Sequence, residues 1–169
     1  MSRVIAEHYF KTNHPTKDIK YIPANYNNGS VPDVTGKNVL ICDFAFDYKT
    51  TIDMIGKAAK FGILDHHVKA KNVLAAIDTK YVHFEKDESG ASLTQEYFYP
   101  DKPVPMLVRH VKDHDIYKKK EKLWREYFAI YLTMGFNYDT WIEWYLNDTL
   151  WLDHLKNYGG NIYKYSNYL

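Results

Sequence analysis

The sequence predicts an α/β fold, a parallel sheet flanked by helices with a helical C-terminal part, and three observations carry that expectation. An unbroken apolar run, Val39-Leu40-Ile41-Cys42, closes on Asp43. A helix-patterned stretch follows over 50–61, and a second apolar run, Gly62-Ile63-Leu64, leads straight into Asp65-His66-His67. Strand, helix and strand of these lengths make a βαβ unit with a right-handed crossover, its strands covered on both faces. A chain of 169 residues is long enough for one domain with a full core. We read that domain as 1–169, with 1–118 the α/β part and 119–169 a helical extension.

Ser2 to Phe10 carries Val4, Ile5, His8 and Tyr9 at helical spacing and breaks at Asn13-His14-Pro15. Ile19 to Pro23 alternates as a short strand that Pro23 limits. Asn25 to Gly36 is a loop rich in Asn, Gly and Pro. Asn38 to Phe44 is the first buried strand, and Thr50 to Phe61 a helix with Ile52, Ile55, Ala58 and Ala59 on one face, ending near Gly62. Ala75-Ala76-Ile77 and Tyr81-Val82-His83-Phe84 read as short strands. Gly90-Ala91-Ser92 opens a helix through Tyr97 that stops before Pro100, and Val104 to Val111 forms another after Pro103. From Trp124 onward the pattern is helical, punctuated at Gly135-Phe136-Asn137 and Gly159-Gly160.

Composition narrows the functional classes. With 22 basic and 21 acidic residues the net charge is +1, so no global positive field draws nucleic acid and an anionic ligand must be held locally. The run Lys118-Lys119-Lys120 is either a solvated segment or a phosphate contact. Cys42 is the sole cysteine, which excludes an internal disulfide and a multi-thiolate metal site. No apolar run is long enough to span a bilayer, and the N-terminus lacks the apolar stretch of a signal peptide. A soluble cytoplasmic protein is therefore expected. Aromatic residues make up 17% of the chain, including 16 tyrosines; packing is their ordinary use and base stacking the other.

The chemistry gathers where parallel sheets place it, just beyond the carboxyl ends of the strands. Asp43 and Asp65-His66-His67 end two neighbouring strands, and Asp113-His114-Asp115 follows a helix. Carboxylates and imidazoles suit Mn, Fe, Zn or Mg, and such ions activate water and stabilise charge on a phosphoryl oxygen. Taken singly, Asp43 could cap the following helix, His66 and His67 could be core or surface histidines, and Asp113 and Asp115 could be turn residues.

In order, these segments resemble the DHH phosphoesterase superfamily, and more closely its oligoribonuclease-like members. The helix from Ser2 resembles the one after the family's first motif, and Pro32 to Phe46 the strand bearing the second-motif aspartate. Leu64-Asp65-His66-His67 is similar to the name-giving third motif, Ser89 to Phe98 to the Ser-Gly-Ala helix, and Val111 to Tyr117 to the fourth motif. The resemblance implies a metal-dependent hydrolase of phosphodiesters in short oligonucleotides or dinucleotides. It implies that Asp43 bridges divalent ions, manganese foremost, and that His66 and Asp113 ligate one of them. Asp65 would orient His66 from behind, His67 would contact the substrate phosphate, and Ser89 and Gly90 would lie against substrate. Asp43, His66, His67 and Asp113 would form the catalytic set, with Asp115 a neighbour.

The family's first motif, His-x-Asp-x-Asp-Gly, has no counterpart here: no aspartate occurs before Asp18, and His8 and His14 are out of place for it. On this resemblance the chain starts just after that motif, lacking an N-terminal strand, and ends before the DHH-associated C-terminal domain. One ion or none instead of two is then expected, with the sheet completed by a second copy, a partner or residues upstream of Met1. Two other readings stand beside the enzyme: a catalytically degenerate structural or interaction subunit, and a single-metal nucleotide-binding module.

Overall fold

The structure, a computed structural model, describes residues 1–25, 31–135 and 137–166. Three parallel strands form its sheet: β1 (Asn38–Cys42), β2 (Lys60–Asp65) and β3 (Val82–Phe84), in the order β1-β2-β3. Ile41 pairs with Ile63 and Cys42 with Leu64 across β1 and β2, and Leu64 pairs with His83 across β2 and β3. The expected βαβ unit is present. Its helix, α2 (Tyr48–Lys57), starts on Asp47, whose carboxylate accepts from the Thr50 amide at 3.0 Å. It ends earlier than the sequence suggests, because Lys60 and Phe61 pair with Asn38 and Val39 as strand residues. Periodicity alone does not separate a helix end from a buried strand start in so short an apolar run.

Two other expectations are corrected. Residues 19–23 form no strand, and Tyr21 instead packs beside α1 (Ser2–Asn13), with the Arg3 guanidinium 5.5 Å from its ring centre. Ala75 is the last residue of α3 (Lys71–Ala75) and not part of a strand; alanine favours helix, and Leu74 and Ile77 still reach the core under the sheet. The loop expected over 25–36 falls partly outside the described residues, since 26–30 are not among them.

The sheet and α2 enclose one apolar cluster, with Val34, Ile41, Phe44, Met54, Ile63, Leu74 and Ile77 at its centre. A second is built between helices: α1, α4 (Gly90–Phe98), α5 (Met106–Asp115), α6 (Trp124–Thr133), α7 (Tyr138–Leu146) and α8 (Asp148–His154). Val4, Ile5, Leu107, Ile130 and Trp151 are all fully buried there, so residues beyond 118 share a core with α1 and α5. Gly159 and Gly160 do not break the tail. The chain runs through a π-helical turn, Leu155–Gly159, into α9 (Gly160–Ser166), and Gly159 is placed where its absent Cβ would lie 2.7 Å from the Glu126 carbonyl oxygen. Close packing is its role. No helix among the described residues is long and apolar enough to cross a membrane.

Candidate metal centre

Parallel pairing brings Asp43 and Asp65 out of the sheet side by side. Cys42 is level with Leu64, and the Asp43 amide continues the ladder by donating to the Leu64 carbonyl at 2.8 Å. Asp43 takes a φ of +62°, a left-handed conformation uncommon outside glycine, as the chain leaves β1. Its carboxylate is free of capping duty, since Asp47 caps α2. Asp43 Oδ1 lies 3.1 Å from His66 Nε2. This contact raises the His66 pKa above its ordinary value, against the opposing effect of burial.

Asp65 is fully buried, and the imidazole it meets is that of His67, not that of His66 as expected. Its Oδ1 accepts from the amides of His66 at 2.8 Å and His67 at 3.2 Å, and stands 2.7 Å from His67 Nδ1. An Nδ1–H donated to that carboxylate leaves the lone pair of His67 on Nε2, the tautomer a metal ligand needs. The second oxygen, Asp65 Oδ2, is buried without a hydrogen-bond partner among the described residues. A buried acceptor left bare in this way calls for an ion or a water beside it.

One ligand atom each from Asp43, His66 and His67 lie within 4.8 Å of one another. Atoms bound at about 2.0–2.2 Å to a single ion stand roughly 3–4 Å apart, so small side-chain movements suffice to close the set. Two imidazoles and a carboxylate, with a carboxylate orienting one imidazole, fit a divalent transition metal. His67 thus joins Asp43 and His66 as a candidate ligand, where substrate contact alone was expected.

Asp113 is not brought to this cluster. The expected site segment is the last turn of α5, and residues two apart on a helix face different ways. Asp113 is buried and accepts from the amides of Lys120 at 2.8 Å and Glu121 at 3.1 Å, bracing the following loop. Asp115 instead lies within electrostatic reach of the centre. Burial and the nearby Asp43 raise its pKa, while His66, His114 and the terminal ammonium oppose the shift. The Met1 ammonium, its own pKa lowered by burial, feels Asp43 and Asp115 in return, so the start of α1 lies at the same place.

Ser89 and Gly90 serve the site from within and not as a substrate surface. Ser89 is fully buried and caps α4, its Oγ accepting from the Ser92 amide at 3.1 Å while its own amide donates to Ser92 Oγ at 2.8 Å. Gly90 borders Asp43: a Cβ there would lie 2.4 Å from Asp43 Oδ1. Cys42, just before Asp43, has its thiol pushed up to about 11, mainly by burial, which marks it as packing material.

No protein-family model matches the chain, and no solved structure matches it. Among curated proteins it is similar to an uncharacterized protein of Acanthamoeba polyphaga mimivirus, 29% identical over 188 aligned positions. That alignment takes in 99% of this chain and 44% of the viral protein, so the chain spans less than half the length of this relative.

Proposed function

We propose that this chain is a DHH-like phosphoesterase domain that hydrolyses phosphodiester bonds of short oligonucleotides or dinucleotides with a divalent ion, manganese foremost. The observation that carries the reading is the convergence of Asp43, His66 and His67 at the carboxyl edge of a parallel sheet, over a buried aspartate with one unpartnered oxygen. The order of the resembling segments supports it.

Asp43, His66 and His67 would hold the ion, and Asp65 fixes the His67 ring. An ion in that position supplies Lewis acidity to a phosphoryl oxygen and lowers the pKa of a water. Asp115, with its raised pKa and its place beside Asp43 and His66, is positioned to hold a proton at its carboxyl group. Gly90 keeps the wall behind Asp43 free of side chain.

The test is nucleotide release from short RNA by the purified chain with added manganese, followed by chromatography. Release is expected, with Asp43→Asn, His66→Ala and His67→Ala each lowering it at least about a hundredfold. No metal-dependent release, or release that survives Asp43→Asn, overturns the reading.

One observation favours a second reading, a catalytically degenerate structural or interaction subunit. Among the described residues a single three-member ligand cluster is found, where the family's full motif set would hold two ions. Among the described residues β1 is also an edge strand of the sheet, the kind of position where a second copy or a partner strand pairs. Mass measurement in solution separates the two: an active monomer counts against the subunit, and an inactive assembly against the enzyme.

A further inference from the structure

Beside Asp115 the surface changes from carboxylates to rings. His114 lies 4.9 Å from Tyr131, 5.3 Å from Phe128 and 6.4 Å from Tyr117, centre to centre. These rings are not core: Tyr117 is 79% exposed, Tyr131 50% and Phe128 37%. They are nevertheless held from below, because buried Tyr127 lies nearly parallel to Tyr131 at 6.2 Å and meets His114 edge-on at 5.7 Å. A supported cluster of exposed rings is a stacking surface, and its apolar faces are costly to leave in water.

The loop bordering it is strained and braced. Tyr117, Lys119 and Leu123 all take positive φ, at 56°, 53° and 65°, conformations that cost free energy in non-glycine residues. Asp113 holds them: its carboxylate takes the amides of Lys120 and Glu121, and its carbonyl takes that of Lys118 at 3.1 Å. This loop carries Tyr117 to the ring cluster and exposes the three consecutive lysines. Lys118 has only a 3.8 Å pairing with Asp87, and Lys120 has no ion pair among the described residues. The braced loop thus carries one ring of the cluster, Tyr117, and directly after it in sequence the exposed cations Lys118 to Lys120.

We infer that His114, Tyr117, Phe128 and Tyr131 form a base-stacking subsite for single-stranded nucleic acid, with Lys118 and Lys120 meeting its phosphates. The inference rests on the phosphoesterase reading for its direction, toward Asp43 and His66, but not for its chemistry. Asp115 joins the two regions, following His114 in sequence and lying within electrostatic reach of Asp43, His66 and Tyr127. Stacking accepts every base, so the subsite selects unpaired strands and not a sequence. A partner protein would use the rings but has no need of adjacent cations, and double-stranded nucleic acid offers no free base face.

The test reads binding alone, in EDTA and at low ionic strength, by fluorescence anisotropy of a short labelled oligoadenylate against its abasic counterpart of equal charge. The oligoadenylate is expected to bind at least about fivefold more tightly, the smaller end of the range for one stacked base. Tyr131→Ala is expected to remove most of that preference and leave abasic binding unchanged. Tyr131→Phe, which retains the ring, should restore it, and thermal melting confirms that each variant folds. A 2-aminopurine within the strand should be quenched on binding to the native chain and not to Tyr131→Ala. Equal affinity for basic and abasic strands, or a preference untouched by Tyr131→Ala, overturns the inference. Hydrolysis is not read in this assay, so an inactive metal centre leaves its outcome unaltered. Equal affinity for the two strands here, beside manganese-dependent release in the separate RNA assay, sustains the phosphoesterase and sinks the stacking subsite.

Discussion

A Cβ at Gly90 would lie 2.2 Å from both Cβ and Cγ of Asp43, so the opening residue of α4 and the first candidate ligand fill one space between them. Asp43 has little freedom to yield. Its amide is tied to the Leu64 carbonyl, its φ is already left-handed, and its carboxylate faces His66. Gly90→Ala should therefore displace the ligand or strain the helix start. Overpacking of this kind costs about 1–3 kcal/mol. The melting temperature should drop by about 2–12 °C, and manganese affinity, measured by calorimetry, should fall with it. Wild-type values of both would show that Asp43 does not depend on the missing side chain.

Asp65→Asn tests the orientation of His67. The asparagine keeps an oxygen for the amides of His66 and His67 but removes the charge that favours Nδ1–H on His67. Partners of this kind are worth about 10–100-fold in metal affinity, and a loss in that range is expected without unfolding. Asp65→Ala should do more, since it strips the acceptor from two amides and costs about 1–3 kcal/mol of stability for each left bare. An asparagine variant that binds manganese as the native chain does would separate Asp65 from the site.

The βαβ unit was legible because both strands are continuous apolar runs and both end on chemistry, Asp43 and Asp65. The ends of elements were not, for the reason Lys60 and Phe61 illustrate: residues compatible with helix became strand once Asn38 and Val39 offered them a ladder. Within the site, the residues fixed by strand ends were readable and those fixed by a helix face were not. Asp113 and Asp115 have the same chemistry two positions apart, and only the rotation of α5 in the fold decides which one feels the charge of Asp43. Ser89 and Gly90 carried a motif whose structural reason, a capping box and a close approach, needs three dimensions to see. The ring cluster had no sequence signal beyond a high tyrosine count, because His114, Phe128 and Tyr131 come together through the packing of α5 on α6.

Burial of histidine sets an acid limit on stability. His154 lies against Trp144 at 4.4 Å and Tyr158 at 5.1 Å, and burial lowers its pKa, as it does that of His8. In the unfolded chain such a histidine takes a proton near pH 6.5. Below that value the unfolded state binds more protons than the folded one, so stability falls as pH falls. His66 acts with the opposite sign: raised by Asp43, it contributes stability that is present below the unfolded pKa and lost as pH rises through the folded one. His154→Phe keeps the ring stack and removes one acid-sensitive group. Its melting temperature should decline less than that of the native chain between about pH 7.5 and about pH 5.5. An unchanged decline would place the acid sensitivity elsewhere.

Asp113 and Asp115 can be told apart by what each loses. Asp113→Ala leaves the amides of Lys120 and Glu121 without their acceptor and releases a loop with three left-handed residues. The expected result is a destabilisation of about 1–3 kcal/mol in urea unfolding. Manganese affinity should be unchanged, because the Asp113 carboxylate is taken up by loop amides and is not among the clustered ligand atoms. Asp115→Ala should show the converse pattern. No hydrogen bond of its side chain holds a neighbouring segment among those described, so stability should change little. Removing a carboxylate beside Asp43 and His66 should weaken manganese binding by a measurable factor and disturb any hydrolysis more strongly. If calorimetry instead finds the affinity loss in Asp113→Ala and none in Asp115→Ala, the rotation of α5 that sets the two apart is wrong. The fourth-motif ligand would then be Asp113, as the family resemblance implies.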